Sequence, residues 1–543
     1  MRVLLLGAFL LMPMVRGGVP SRFEHNEPAA LVVGIELPSQ VPFSPVVEAA
    51  LRDMGIGYAG FYVTTHPGAE APEEETAAAM VDLCRRLGLR FTLDAHHRDP
   101  GERSVRTAFS AGPLFHGVLF DELTHVRLLY PEFAGPAPDA VLADPKTFAD
   151  LLDAHQKTVE ALQRLQRRFA GLGAPRVIST EVWPSLLHAA ARAGMVPCPK
   201  ICKEFYSPVS LAVGMGAALQ YDRELWVDVD MWYFTTIPGH PPEEVRSNLL
   251  LAYWLGADLV YLEGCGYNLL PAGRQGHPFS LVHPLDDHRY QLTPHGEMLK
   301  EFCTRYLPSH PRPWSFRDVL PDAAIIRFDD TDVGQKSWGV EQLYGSKNLR
   351  PDADTAAWLS LWNVLTHGKT GSDGLAWFKG SVRHPDTSER YHRDITPSYL
   401  TERACQDHTF FVPLRGVVVF DHLVPYEKLR GIPVLFLTGK HVSEETMRDI
   451  RRRVSEGAVC VAWGPLAARN GFSWRKGVQV VRHGRGKFVL TDDFEAPEAV
   501  RQYRKCLGRS DEICYRFRGG TVTLRRVTDN TVEVHVAPNT AER

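Results

Sequence analysis

The sequence predicts an α/β protein: a (β/α)8 TIM barrel, then a second parallel α/β domain, then a small C-terminal antiparallel β module. Three observations point there. Between residues 28 and 312 eight short apolar runs recur, most of them followed by a stretch with helical spacing. The runs are continuously apolar, as strands buried on both faces are. Residues 320–497 repeat the strand–helix alternation, and residues 498–543 change to period two. At 543 residues the chain exceeds what a single core holds, so several domains are expected.

The N-terminus reads as a secretory signal peptide over residues 1–20. Arg2 is followed by the apolar run VLLLGAFLLMPMV and then by Arg16-Gly17-Gly18. The run is too short to span a bilayer, and no later segment has that character. A secreted or periplasmic location follows. A net charge of −3 offers nothing to a nucleic acid or an anionic membrane surface. The nine cysteines are an odd number, so at least one is unpaired within the chain. Cys506 and Cys514 are spaced to close a small loop. Cys198 and Cys202 have no second Cys/His pair nearby at zinc-site spacing, so neither a metal nor a cofactor is expected.

The eight strand candidates are LVVGIELP (31–38), IGYAGFYV (56–63), RFTLDAHH (90–97), FHGVLFDELTH (115–125), PRVISTEVW (175–183), PKICKEFY (199–206), LWVDVDMWYF (225–234) and DLVYLEGCGYN (258–268). Helix candidates such as EETAAAMVDLCRRLGL, SPVSLAVGMGAALQY and PPEEVRSNLLLAYWLGA separate them. An open doubly wound sheet would call for a Gly-x-Gly-x-x-Gly turn opening a helix, and the barrel region has none.

Nearly every one of these strands ends in polar groups: Glu36, Asp94 with His96 and His97, Asp121-Glu122, Glu181, Lys203-Glu204, Asp228 with Asp230, and Glu263. In a barrel of this kind the C-terminal strand ends form one mouth. Gathering like charges there is unfavourable unless a site uses them. Chemistry that wants several carboxyls in an aromatic-lined mouth is glycosidic bond hydrolysis: one acid protonates the leaving oxygen, and a second carboxylate attacks the anomeric carbon or activates water. Trp183 and Trp232 are placed to stack on sugar rings, and His97, Tyr206 and Asn268 to bind hydroxyls. Two other classes compete. A metal-dependent hydrolase would use Asp94, His96 and His97, but adjacent histidines on a strand face opposite ways. A carbohydrate-binding scaffold would bind without turnover.

These residues resemble those of the clan A glycoside hydrolases. The resemblance implies Glu122, at the end of strand 4, as acid/base, and Asp230, or else Asp228, at the end of strand 7 as nucleophile. Glu181 and Glu263 are the further catalytic candidates if the strand count shifts by one. The clan usually has Asn before the acid/base and Glu as nucleophile, where this chain has Asp121 and Asp230. An Asp-Glu pair at the end of strand 4 also resembles hexosaminidase-like families, in which Asp121 would orient a substrate acetamido group. In the second region DAAIIRFDD, RGVVVFDHLV, IPVLFLTG and GAVCVAW form a parallel series. It is similar to the glutamine-amidotransferase-like domain of family 42 β-galactosidases, which implies assembly, here a homo-oligomer, without amidotransferase chemistry. Cys460 lies inside an apolar strand and not on a nucleophile elbow. The loop RFDDTDVGQKSWG (327–339) reads as solvated, or as reaching the barrel mouth, and its acids read only weakly as a calcium site.

Overall fold

The computed structural model describes residues 31–38, 45–62, 74–96, 100–122, 144–182, 184–202, 205–231, 240–264, 281–286, 288–332, 342–371 and 410–538. The signal-peptide reading therefore lies outside the described residues. Among the described residues no helix is long and apolar enough to cross a membrane.

Eight parallel strands close into a barrel in sequence order: β1 (Val32–Pro38), β2 (Tyr58–Tyr62), β3 (Arg90–His96), β4 (Phe115–Asp121), β5 (Val177–Glu181), β6 (Val196–Ile201), β7 (Trp226–Asp230) and β8 (Leu259–Glu263). Closure is through β8 on β1, with Val32 opposite Leu259. All eight coincide with apolar runs of the sequence. The sixth differs in its start: it begins at Val196 and not at Pro199. Pro197 and Pro199 each lack an N–H to give to a ladder. The strand tolerates them, and against β7 it registers only Lys200 with Asp228 and Ile201 with Val229.

A closed barrel sends alternate side chains inward. Tyr58, Leu119, Ile178, Val196, Cys198, Trp226, Leu259 and Tyr261 form a separate apolar cluster that fills the barrel interior. The Tyr58 and Trp226 rings meet edge-on at 5.8 Å, and Tyr58 and Tyr261 lie 6.1 Å apart. Gly34 makes room for this floor, since a Cβ there would sit 2.1 Å from the Tyr58 ring. The barrel is thus plugged below and open to chemistry only at its C-terminal end.

After the barrel, β9 (Val282–Pro284) and β10 (Tyr290–Leu292) form a short antiparallel pair. A six-stranded sheet follows. It contains β11 (Ala323–Arg327), β13 (Val417–Asp421), β14 (Val434–Thr438), β15 (Val459–Trp463), β16 (Gln479–His483) and β17 (Gly486–Thr491), in the order β13-β11-β14-β15-β17-β16. Only β16 runs antiparallel, at an edge. Cys460 is fully buried in β15, and burial pushes its thiol pKa up, which matches a core thiol. The last sheet pairs β18 (Glu512–Phe517), β19 (Gly520–Arg526) and β20 (Val532–Ala537) antiparallel. It also recruits β12 (Leu414–Arg415), in parallel with β18, from the second region. Cys506 and Cys514 are both free thiols, so the expected loop closure is not made: Cys506 is buried and Cys514 accepts a bond from Thr523.

The barrel and the six-stranded sheet share a tight seam. The helix Ser207–Gln220 is buried nearly all round, because one side faces the barrel and another faces β13. Its small residues permit that approach: a Cβ on Gly216 would fall 1.6 Å from the Val419 carbonyl oxygen. Gln220 donates to the buried Asp421 carboxylate at 2.5 Å, and Tyr221 donates to its other oxygen. His188 Nε2 donates to the Val419 carbonyl at 2.9 Å. The start of the 327–339 loop joins this seam and is not solvated: Asp329, Asp330 and Asp332 are buried. Asp329 accepts from the Leu186 backbone N–H in the barrel at 3.3 Å, Asp330 pairs with Arg327, and Asp332 accepts from Thr355 at 2.9 Å. The three acids have separate partners and do not converge as a calcium loop does.

Replacing Gly216 by Ala should destabilise the chain by about 3 kcal/mol, the upper end for an overpacked core. Gly171, the last residue of the helix Leu151–Gly171, meets nothing within 4 Å. Gly171→Ala should be neutral or stabilise by up to about 1 kcal/mol. Urea unfolding midpoints of the two variants check the contrast.

Candidate active site

Strand parity builds the site. The inward positions continue upward from the apolar floor: Glu36 on β1, Asp94 on β3, Asp121 on β4, Lys200 on β6, Asp228 and Asp230 on β7, and Glu263 on β8. All are buried. The Lys200 ammonium stands among them. Its Nζ lies 2.7 Å from Asp121 Oδ1, 2.5 Å from Glu263 Oε2, 3.4 Å from Asp230 Oδ2 and 3.8 Å from Asp228 Oδ2. Glu122 Oε1 joins at 3.0 Å. Asp121, Asp228 and Glu263 lie close enough to one another to hold a cation, and the ammonium is that cation.

Glu122 reaches this ring against strict alternation. After an inward Asp121 the next side chain should leave on the other side. Glu122 has φ 50, in the left-handed region that a residue with a Cβ seldom adopts. The turn brings both neighbours to one ammonium, and the Glu122 N–H bonded to the Thr180 carbonyl at 2.8 Å holds it there. Such strain is characteristic of functional positions. Glu122 is also the one member of the Lys200 ion-pair set with appreciable side-chain exposure, 12%.

One ammonium faces seven carboxyls, and burial and mutual repulsion bear on their titration. Burial, then the charges of Asp94, Glu263 and Asp121, push Glu36 well above the usual carboxylate range, although the Gly264 N–H bonds it at 3.1 Å. Burial, then Asp121 and Glu263, push Asp94 up likewise. Burial and Glu263 raise Asp228, against the pull of Lys200, and Tyr261 donates to it at 3.0 Å. For Lys200 burial disfavours the charge, yet Asp121, Glu122, Glu263 and Asp230 raise its pKa well above the ordinary lysine value. The direction of this shift favours the charged ammonium that the ion pairs describe.

Of the expected site residues, Asp121, Glu122, Asp230 and Glu263 come together around Lys200. Glu181 does not share their side of the strand: Ile178 and Thr180 take the inward parity of β5, and Glu181 lies on the side of Ser179, whose hydroxyl donates to it at 3.5 Å. Tyr206 is buried, and its hydroxyl donates to the Lys369 carbonyl at 2.9 Å, which ties it to the second region. His97, Trp183, Trp232 and Asn268 lie outside the described residues, as do Lys203 and Glu204. Lys200 was missed because the run PKICKEFY directs attention to its polar end. The signal was present: Val196, Cys198 and Lys200 recur at period two, so the lysine shares the inward face.

No protein-family model matches the chain, and no curated protein matches it. Similar solved structures include an exo-beta-1,4-mannosidase, Op5Man5, from Opitutaceae bacterium strain TAV5. It is 12% identical, covers 94% of this chain and 92% of its own, and has a TM-score of 0.43. The catalytic module of a family 98 glycoside hydrolase from Streptococcus pneumoniae TIGR4 is 11% identical over 93% of this chain and 80% of its own, with a TM-score of 0.41. An endo-1,4-beta-D-mannanase from Thermotoga petrophila RKU-1 is 11% identical over 50% of this chain and 99% of its own, with a TM-score of 0.33.

Replacing Lys200 by Met should destabilise the protein by about 3–5 kcal/mol at pH 7, the usual consequence of stripping a buried ion group of one partner. The loss should shrink toward pH 4. Carboxyls with raised folded-state pKa values, such as Glu36, Asp94 and Asp228, hold stability below the unfolded value near 4 and lose it as pH rises, and removing the ammonium steepens that loss. Denaturant unfolding of both proteins at the two pH values checks the sign.

Proposed function

We propose that the chain is a glycoside hydrolase in which Glu122 is the general acid/base and Asp230 the nucleophile. One observation carries this reading: Glu122 from the end of β4 and Asp230 from the end of β7 meet at the same ammonium. Their oxygens stand 3.0 Å and 3.4 Å from Lys200 Nζ, so the two oxygens are separated by no more than the sum of those distances. A limit of that size accommodates the roughly 5–5.5 Å separation of retaining enzymes, and retention of anomeric configuration is the expected outcome.

The roles divide by position. Glu122 stands at the rim, where a leaving-group oxygen would arrive. Asp230 lies deeper, beside a positive charge that stabilises a carboxylate awaiting substrate. Asp121 and Glu263 hold Lys200 at the two shortest distances of the ring, so they anchor the cation. This commitment of Asp121 favours a two-carboxylate mechanism over acetamido assistance. In this proposal Trp183, Trp232, His97 and Asn268 line the sugar subsites. The leader segment exports the protein, and the six-stranded sheet serves assembly as in the family 42 arrangement.

A panel of aryl and alkyl glycosides, including galactosides, mannosides and N-acetylhexosaminides, tests the reading. Glu122→Gln should lower turnover of alkyl glycosides by about 100-fold to 10,000-fold and that of activated aryl glycosides much less, because they need little acid help. Asp230→Asn should abolish turnover of both. NMR of the first-formed product should show the retained anomer. Equal losses on both substrate types in Glu122→Gln, or an inverted product, would overturn the assignment. Sugar binding without turnover across the panel would favour the scaffold reading.

A further inference from the structure

A second constellation lies at the C-terminal rim of the barrel, beyond β6. We infer that Cys202, His240 and Glu244 form a binding site for a transition-metal ion of the zinc type. The inference does not depend on the glycosidase reading.

The three side chains are at least nine-tenths buried and offer a sulfur, a nitrogen and an oxygen that all lie within 4.8 Å of one another. His240 Nδ1 and Glu244 Oε2 are 3.2 Å apart. Two ligands on one tetrahedral zinc, at bond lengths of about 2.0–2.2 Å, stand about 3.3–3.5 Å apart, so this edge already has nearly the right length. The set is mixed, with thiolate, imidazole and carboxylate, which suits zinc or cobalt and not the all-oxygen shells of magnesium or calcium. Charge also fits. A thiolate and a carboxylate with a divalent ion sum to zero, which is what a fully buried site requires.

The surroundings hold the donors in place. Cys202 follows β6 with φ 73, and its N–H donates to Ser207 Oγ at 3.1 Å, which fixes a strained backbone that re-aims the side chain. Glu244 is one helical turn beyond His240, in the first turn of the helix Pro242–Trp254. His295 Nε2 donates to the His240 carbonyl at 2.8 Å and pins that turn. Metal binding would join the end of β6 to the start of this helix, with the Cys202 thiol proton released to solvent. Three protein ligands leave a fourth position for water or substrate, as in sites that do chemistry.

The test uses the full chain. Metal analysis of protein purified without chelator should give one zinc per chain. After chelator treatment, cobalt(II) added alone should restore one equivalent, with a near-ultraviolet thiolate-to-cobalt band and visible bands of tetrahedral strength. Cys202→Ser should remove the thiolate band, whereas Cys303→Ser should keep it. His240→Gln and Glu244→Gln should each weaken cobalt binding at least 100-fold. Because a variant in a buried cluster can fail to fold, X-ray absorption at the zinc edge of the unaltered protein gives an independent reading: one sulfur at about 2.3 Å with nitrogen and oxygen at about 2.0–2.2 Å. A shell of nitrogen and oxygen alone, or no metal retained after either loading, overturns the inference. Glycoside turnover, present or absent, affects none of these outcomes.

Discussion

The Lys200 ammonium is the constraint around which the barrel mouth is arranged. Carboxyls on five strands of a closed barrel face one another at distances where mutual repulsion in a dry interior would open the structure. A single cation at 2.5–3.8 Å from five of those groups makes the layer possible. It does so incompletely, and burial with the neighbouring carboxylates pushes Glu36, Asp94 and Asp228 above the usual carboxylate range. The layer is therefore a ring of buried carboxyls held around one ammonium, in environments that differ from one acid to the next.

Much of this was legible from pattern alone. Eight uninterrupted apolar runs identify eight strands because a barrel strand is covered on both faces, and acids at their ends mark the mouth because charge cannot be buried deeper without a partner. The site residues that pattern missed depend on departures from pattern. Lys200 lies within the run PKICKEFY but away from its polar end, and only its period-two spacing from Val196 and Cys198 marks it as inward. Glu122 was expected at the mouth, but what turns it inward is a left-handed backbone that no residue type announces, since glutamate has no preference for that conformation. Glu181 shows the converse. It ends its strand as Glu263 does, yet one position of parity puts it on the opposite side from the inward Thr180.

The second region follows the same division. Its parallel strands were readable, whereas its seam with the barrel was not. The loop at Asp329 has the composition of a solvated turn and is buried. Its acids became structural because the Leu186 N–H meets Asp329 across the seam, while Arg327 and Thr355 of the same region take Asp330 and Asp332. The period-two segment at the C-terminus was readable as hairpins, but its partner Leu414–Arg415 comes from far away in sequence, and long-range pairing leaves no local trace. The helix Ser207–Gln220 joins the two regions: apolar on nearly every side, with glycine where Val419 approaches, it reads as core but does not say whose core.

These features meet at β6. The same strand carries Lys200 inward to the carboxyl ring, ends in the strained Cys202, and leads through Ser207 into the helix that packs on β13. Its register with β7 pairs Lys200 with Asp228 and Ile201 with Val229. The ion-pair ring then acts back on the fold: by binding β4, β7 and β8 at once, Lys200 ties β6 to three other strands of the barrel. The ammonium that bonds β4, β7 and β8 thus couples the electrostatics of the barrel mouth to the stability of the sheet.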